Sequence, residues 1–334
     1  MYALLLSLFA CGSLTAAPQG TGPHRVKLHG EAIGTSWSVT ADLPPEVDDA
    51  QVQVAIDAEL AVVDATMSSW RTDSEIGRAV GSSAPVKVSA HTAGVVAEAL
   101  DIARRTGGAY DPTVEPLMRV WGFRHNASAR APTAEALAEA IAKVGWQQVS
   151  LTERDGDAWL DTHGASLDLS SIAKGHGVDR VGDVLTGLGS TRWLVEVGGE
   201  VRGRGGRSAE DPWRVGVDEP KAEIPSGTVF AQVIVLRDGA LATSGNYRNF
   251  HEVDGQRVAH TLDPRVGKPI KTHVLSASVV APTCQTADGW ATALMVLGTE
   301  GLPLIEALPG VDALLLLDDG TRAQTSGLGP WLQP

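Results

Sequence analysis

The chain has 334 residues, 43% of them hydrophobic, which is enough to bury a large core. Its 40 acidic and 27 basic residues give a formal net charge of −13. Because an acidic surface repels a phosphodiester backbone, we expect no nucleic-acid partner. The two cysteines, Cys11 and Cys284, exclude a disulfide framework and a cysteine zinc site, and we expect Cys284 to be a buried free thiol.

The first residues are typical of an export signal. An apolar run from Met1 to Ala10 precedes Cys11, and residues 8–11 resemble the lipobox of bacterial lipoproteins, although no Lys or Arg precedes the run and Phe9 is bulky. A signal cleaved near Ala16, or a wrongly assigned start codon, are the alternatives. We therefore expect a leader and tether over 1–24, one domain over 25–334, and an exported, periplasmic protein. Cys11 is the candidate lipid anchor to the inner membrane, and we expect no other membrane contact.

The remaining patterns alternate between helix and strand. Extended runs at 26–29 and 36–41 precede a helix whose apolar stripe is Ile56, Leu60, Val63 and Met67. Further helices are predicted over 91–106, 133–145, 173–188 and 286–298. Strands are predicted over 192–197, 213–217, 228–236, 239–243, 257–262, 274–281 and 311–317. Early helices followed by hairpin-linked strands indicate an α+β fold, with a largely antiparallel or mixed β-sheet core and flanking helices.

The common nucleotide and hydrolase motifs are missing from the sequence. It contains neither a Walker A loop nor H-E-x-x-H, and Ser244 does not lie in G-x-S-x-G. The glycines at 203–206 lack the third glycine of a dinucleotide fingerprint and are interpreted as a tight turn between strands. The chemistry must therefore come from less general segments.

Residues 168–177 predict a strand end, several hydroxyls and then a helix start with two glycines. A helix start offers free N–H groups and a partial positive charge, which suit a phosphate. The alternative is an ordinary helix with Ser170 or Ser171 as its N-cap.

On the helix predicted over 286–298, Asp288 and Thr292 are four residues apart and share a face. A carboxylate and a hydroxyl are hard oxygen ligands, which suit Mg²⁺ when waters and substrate phosphates complete its shell. The alternative is a carboxylate that interacts with the helix dipole and a threonine that bonds back to a carbonyl.

Two further segments carry polar and aromatic groups. His260 lies on the strand that enters the turn at Asp263, and it can carry a proton or be held in the core. Tyr247 and Arg248 can bind a ligand or pack and pair. Tyr110 and Asp111 follow a helix end, where an aromatic face can stack on a flat ring or belong to the core.

Together these segments resemble the ApbE family, the FAD:protein FMN transferases. The similar segments occur in the family's order and include its Gly-Ala-Phe-Asp-Pro-Thr, Asp-Leu-Gly-x-Ile-Ala-Lys-Gly and His-Ile-Leu-Asp-Pro motifs; they are 34–35, 67–76, 108–114, 121–123, 168–175, 197–200, 243–248, 260–269 and 287–292. This chain differs from the family pattern at Ile33, directly before the first of these segments, and at four positions within the others, namely Trp70, Asn246, Val266 and Ala291. Ala291 replaces a carboxylate of some members, so a third side-chain ligand or second metal is not implied.

The resemblance implies roles for individual residues. The carbonyl of Ala173, the carboxylate of Asp288 and the hydroxyl of Thr292 would hold Mg²⁺, with Mn²⁺ as an alternative, against the FAD pyrophosphate. The residues expected to line the FAD site are Ile33, Trp70, Ala109, Tyr110, Asp111, Ser170, His176 and Thr261.

The implied reaction is attack of a Thr or Ser hydroxyl of an acceptor flavoprotein subunit on the FMN-side phosphorus of FAD, with release of AMP. We expect His260 to accept the hydroxyl proton, with Asp263 and Asp288 as second choices, and Lys174 to steady the pyrophosphate. The alternatives are a metal-dependent FAD pyrophosphatase, an exported FAD-binding protein without activity, and a structural lipoprotein without ligand.

Overall fold

The computed structural model describes residues 22–123, 131–246, 250–253, 256–270 and 273–333. Its strands are β1 (His24–Ala32), β2 (Thr35–Leu43), β3 (Val86–Val88), β4 (Ser150–Arg154), β5 (Asp157–Asp161), β6 (Arg192–Val197), β7 (Glu200–Arg204), β8 (Trp213–Asp218), β9 (Phe230–Leu236), β10 (Asp238–Gly245), β11 (Phe250–Val253), β12 (Gln256–Ala259), β13 (Leu262–Asp263), β14 (Lys268–Pro269), β15 (Val274–Ala281), β16 (Asp312–Leu317) and β17 (Arg322–Gln324). Its α-helices are α1 (Asp49–Met67), α2 (Glu75–Val80), α3 (Ala90–Arg105), α4 (Glu115–Val120), α5 (Ala134–Ile141), α6 (Ala173–Gly187), α7 (Cys284–Leu297) and α8 (Leu302–Glu306).

Within the described residues, eight strands form one antiparallel sheet in the order β1-β2-β6-β7-β10-β15-β16-β17. Smaller sheets pair β3-β5-β4, β8-β9, β11-β12 and β13-β14. The predicted α+β class with an antiparallel core and flanking helices is confirmed.

The central strands bury both of their faces, because a layer packs on each side of the sheet. Successive side chains of a strand point to opposite faces and so enter different cores. In β16, Ala313 and Leu315 belong to the core under the helices, whereas Leu314 and Leu316 belong to the core on the opposite face. The helical layer consists of α6 and α7 against the sheet, with α1 packed on α6 and α3 packed on α7. The opposite face is covered by the β8-β9 hairpin, which contributes Trp213 and Leu236 to that core. The sheet is therefore the middle of three layers.

One predicted helix face agrees with the structure, and two predicted segments differ from it. The apolar stripe of α1 is buried as predicted, from Ile56 to Met67. Residues 203–204 belong to the strand β7, which was not predicted, and the turn follows at Gly205 and Gly206. The strand predicted over 257–262 is divided between β12 and β13.

Some predictions fall outside the described residues, namely Tyr247, Arg248 and most of the leader, including Cys11. Cys284 is a buried free thiol, as expected. In the part of the chain that the structure describes, no helix has the length and apolar character needed to cross a bilayer.

Candidate active site

A cavity of about 320 Å³ lies between the end of β10, the start of α6, one face of α7 and the loops that carry Tyr110, Gly198 and His260. Its volume lies in the range of small-molecule sites. Many of the residues predicted to act in the site line this cavity: Ala109, Tyr110, Asp111, Ser170, Lys174, His260, Thr261, Asp288 and Thr292. Segments far apart in the sequence thus line one cavity.

Helices α6 and α7 fix each other through buried carboxylates. Asp288 on α7 accepts a hydrogen bond from the backbone N–H of Gly175 in the first turn of α6 at 2.9 Å. In return, Asp179 on α6 accepts from the N–H groups of Cys284 and Gln285 at the start of α7, both at 2.9 Å. A carboxylate beside free N–H groups at a helix start is favourable because it satisfies the donors and complements the helix dipole. The position of Asp288 is therefore set by the crossing of the two helices.

The close approach of these helices requires a glycine at position 175. A Cβ atom there would lie 2.3 Å from the carbonyl oxygen of Cys284, closer than any real contact. The second glycine of the predicted helix start, Gly177, has only side-chain neighbours at ordinary or slightly short distances. Packing of α6 against α7 thus explains the glycine that follows Lys174.

Two carboxylates surround one ammonium in the cavity. The Nζ atom of Lys174 lies 2.7 Å from Oε1 of Glu200 and 3.5 Å from Oδ1 of Asp288. Burial opposes the charged form of Lys174, but Asp288 and Glu200 outweigh it and raise its pKa. Burial, with the nearby Asp288 charge, raises the pKa of Glu200 against the opposing effect of Lys174. With both carboxylates ionised, the cluster carries one uncompensated negative charge.

The start of α6 is not capped by a serine, so the alternative interpretation of Ser170 or Ser171 as the N-cap is wrong. The N-cap residue is Ile172, whose side chain cannot accept a hydrogen bond. Ser171 instead donates to the Tyr110 hydroxyl at 3.0 Å, and the Ser170 N–H donates to Asp168 at 3.0 Å. These contacts turn the chain just before the helix, so that Ser170, Ser171 and Lys174 line the cavity.

The residues present fit a hard cation that also uses substrate oxygens. Asp288 is 2% exposed, and Thr292, one turn later, contacts Ser244 through their hydroxyl oxygens at 3.3 Å. Across the described ranges, no three His, Cys, Asp or Glu side chains are close enough to hold a metal by themselves. A cation here would rely on Asp288, Thr292 and the backbone at Ala173 together with phosphate and water, as Mg²⁺ prefers. Ala173 begins α6 but is not among the residues that line the cavity.

Hydrogen bonds to Asp111 fix the part of the cavity lining that contains Tyr110 and Asp111. Asp111 accepts hydrogen bonds from the N–H and hydroxyl of Thr113 at 2.8 and 2.6 Å, and from the N–H of Trp146 at 3.1 Å. Burial raises the pKa of Tyr110, so its hydroxyl stays neutral. Asp111 therefore shapes the turn that presents Ala109 and Tyr110 to the cavity.

Another part of the cavity lining comes from the segment around β13. His260 and Thr261 line the cavity, and the Thr261 hydroxyl donates to the Asn246 side chain at 2.8 Å. Asp263 does not line the cavity, and its two carboxylate oxygens accept from the Arg265 guanidinium at 2.9 and 2.8 Å. His260 is thus better placed than Asp263 to meet a ligand.

Three residues predicted to bind FAD lie away from the cavity lining. Ile33 is in the β1–β2 turn with a φ of 46°, and Trp70 is 56% exposed in a separate surface groove with Arg119. His176 is buried between His91, at 3.2 Å, and Gln285, at 2.7 Å. The structure does not bring these three side chains into the cavity.

Several cavity residues lie in segments that resemble the family but were given no role in the site from sequence. Glu200 is 4% exposed, and in the sequence it is only the last residue of the similar segment 197–200. Asp168, Ser171 and Ser244 also line the cavity, although the sequence assigned none of them to ligand binding or catalysis. The sequence offered no signal for Glu200 beyond its segment, because β7, the strand that it begins, was not predicted.

The family model of the ApbE family matches residues 33–315. The chain belongs to the ApbE family. An FAD:protein FMN transferase from Vibrio cholerae is 39% identical over 309 residues, which cover 90% of this chain and 91% of that protein. The same-named protein of Salmonella typhimurium is 33% identical over 337 residues, with 99% of this chain and 94% of the relative covered. The solved structure of the flavin transferase ApbE from Vibrio cholerae superimposes with a TM-score of 0.80 at 37% identity, covering 93% of this chain and all of that one.

Proposed function

We propose that this ApbE-family chain transfers the FMN moiety of FAD to a Thr or Ser hydroxyl of an acceptor flavoprotein, with Mg²⁺ bound, and releases AMP. The observation that carries the proposal is the single cavity in which the start of α6, the Asp288–Thr292 pair and His260 meet. The names of the relatives support flavin transfer as the activity.

The reaction balances without an external reagent. The acceptor oxygen forms a bond to the FMN-side phosphorus, the bond from that phosphorus to the bridging oxygen breaks, and AMP leaves with the electron pair. His260 takes the hydroxyl proton, which needs a base within hydrogen-bond reach. The start of α6 and Lys174 face the pyrophosphate and orient it.

Asp288 and Thr292, with the carbonyl of Ala173, would hold the cation. When bound, Mg²⁺ would neutralise charge that develops on the pyrophosphate. The negative cluster formed by Asp288 and Glu200 around Lys174 supports this assignment, because it leaves a charge that a divalent ion can compensate.

The test is incubation with FAD and Mg²⁺, with and without a flavin-free acceptor subunit of an ion-pumping redox complex. Transfer predicts that the acceptor gains the mass of FMN less one water, and that AMP appears in equal amount. Replacing the acceptor hydroxyl by Thr→Val should abolish the mass gain. AMP and free FMN released at the same rate without the acceptor would instead identify an FAD pyrophosphatase.

Asp288→Asn should slow transfer by about a hundredfold or more, because metal charge stabilisation contributes several kcal/mol. The matched control is Asp312→Asn, which removes another buried carboxylate, on β16 outside the cavity lining and bonded to Thr325. Both variants must give native circular dichroism. Unchanged transfer by Asp288→Asn would contradict the cation assignment.

We also propose that the protein is exported and works in the periplasm, where Cys11 anchors it to the inner membrane. The apolar run before Cys11 supports this proposal. Cys11→Ser should move the protein from the membrane fraction to the soluble periplasmic fraction. Recovery of both forms in the cytoplasm would contradict export.

A further inference from the structure

Glu200 begins β7 and reaches the cavity from the turn between β6 and β7. Gly198 in this turn has a φ of 60°, and a Cβ atom there would lie 2.9 Å from Thr35 and 3.3 Å from the Lys174 side chain. The tight turn thus brings Glu200 beside Lys174, where their side-chain atoms are 2.7 Å apart.

The position of the Lys174 ammonium decides whether Asp288 can accept a cation. Its separation of 3.5 Å from Asp288 is longer than a close ion pair, while its separation of 2.7 Å from Glu200 is that of a strong one. An ammonium bound directly to Asp288 would occupy the carboxylate and repel an incoming divalent ion. Glu200 therefore competes with Asp288 for the ammonium.

One carboxylate oxygen of Glu200 is free to accept a further hydrogen bond from Lys174. Its Oε2 atom is buried and has no hydrogen-bond partner among the described residues. An ammonium has three donors, so Lys174 can shift toward Glu200 and engage this second oxygen when a cation takes Asp288. The unpaired oxygen is then satisfied only in the cation-bound state, which favours that state.

Resting on the proposed function, we propose that Glu200 is a positioning residue that holds Lys174 away from Asp288 and so keeps Asp288 open to a divalent cation. Glu200 acts through Lys174 and does not itself bind the cation. This role differs from a general contribution of negative charge, which would act whether or not Lys174 is present.

The test is a double-mutant cycle on Mn²⁺ affinity, measured by electron paramagnetic resonance of free Mn²⁺ in the presence of saturating FAD. The four proteins are the wild type, Glu200→Gln, Lys174→Met and the double variant. We expect Glu200→Gln to weaken Mn²⁺ binding by about tenfold to hundredfold, as loss of groups that orient metal ligands does. In the Lys174→Met background the same change should have no effect, because no ammonium remains to be held.

Unchanged affinity of Glu200→Gln would overturn the inference. Equal weakening in both backgrounds would also overturn it, because it would show that Glu200 contributes charge directly. Should Glu200→Gln lose native circular dichroism, Glu200→Asp, which keeps the charge and shortens the reach, should show the same dependence on Lys174. Since the readout is binding, a wild type that shows this cycle but transfers no FMN supports the inference and rejects the proposed function. A wild type that binds no Mn²⁺ rejects both.

Discussion

Two candidate bases near the cavity differ in how their acceptor atoms are used. Both carboxylate oxygens of Asp263 accept from Arg265, at 2.9 and 2.8 Å, whereas the His260 imidazole lines the cavity. A general base must lie within hydrogen-bond reach of the proton that it removes, and the Asp263 oxygens are engaged by a guanidinium outside the cavity lining. The structure therefore favours the histidine over Asp263 for proton removal.

Replacing His260 by alanine should slow single-turnover FMN transfer by about 10²- to 10⁴-fold, the usual contribution of a general base. FAD affinity, measured by flavin fluorescence, should change little, because the side chain acts on the acceptor hydroxyl. Asp263→Asn serves as the comparison and should slow transfer by less than about tenfold. A larger loss in Asp263→Asn than in His260→Ala would reverse this assignment.

At single residues, the sequence predicted which side chains line the cavity better than it predicted their hydrogen-bond partners. Asp288 and Thr292 share a helix face, which spacing alone predicted, and both line the cavity. Ser171 was considered as an N-cap, yet its hydroxyl donates to Tyr110, 61 positions away in the chain. Glu200 was missed for the same reason, because its partner Lys174 becomes visible only when β7 is placed beside α6.

The crossing of α6 and α7 is the element on which the site depends. Gly175→Ala would place a Cβ atom 2.3 Å from the Cys284 carbonyl oxygen, so the two helices must separate. We expect a loss of about 1–3 kcal/mol in the free energy of unfolding, as for other overpacked positions, measured by urea denaturation. Because Asp288 accepts from the Gly175 N–H, Mn²⁺ affinity should fall as well.

Gly187→Ala is the matched control within the same helix. A Cβ atom at position 187 would have no neighbour within 4 Å, so this change should be neutral or slightly stabilising, by up to about 1 kcal/mol. If both variants were equally stable, the close contact at position 175 would not constrain the helix pair.

Elements with strong local patterns were predictable from sequence, and those that depend on neighbours were not. The predicted strands 192–197 and 274–281 coincide with β6 and β15, which are rich in buried β-branched residues. β7 was missed because Glu200, two arginines and a glycine give it no strand-like composition. It is a strand because β6 and β10 pair with it on both sides.

At the scale of the whole molecule, a partly buried hydrogen-bond network connects helices α3, α6 and α7. His176 on α6 contacts His91 of α3 and Gln285 of α7, and Gln285 also donates to Glu98 of α3. The Gln285 oxygen accepts from His176 Nδ1, so His176 Nε2 is left to accept from His91. A second proton on His176 would face the His91 donor, and the three helices would lose a contact.

This network predicts that acid destabilises the fold. Burial, aided by His91 and Arg180, lowers the pKa of His176 to about 4 against the effect of Gln285, whereas a histidine in the unfolded chain has its ordinary pKa of 6.5. Below pH 6.5 the unfolded state binds the extra proton, so this contribution is full above pH 6.5 and is lost as pH falls toward 4. His176→Asn keeps a donor toward Gln285 but cannot titrate. Between pH 7 and pH 5 its free energy of unfolding, measured by urea denaturation, should fall by about 2 kcal/mol less than that of the wild type. His273→Asn is the control. Asp318 raises the pKa of this exposed histidine, so removing the histidine should not reduce the loss of unfolding free energy in acid. An equal reduction of that loss in both variants would refute the assignment to His176.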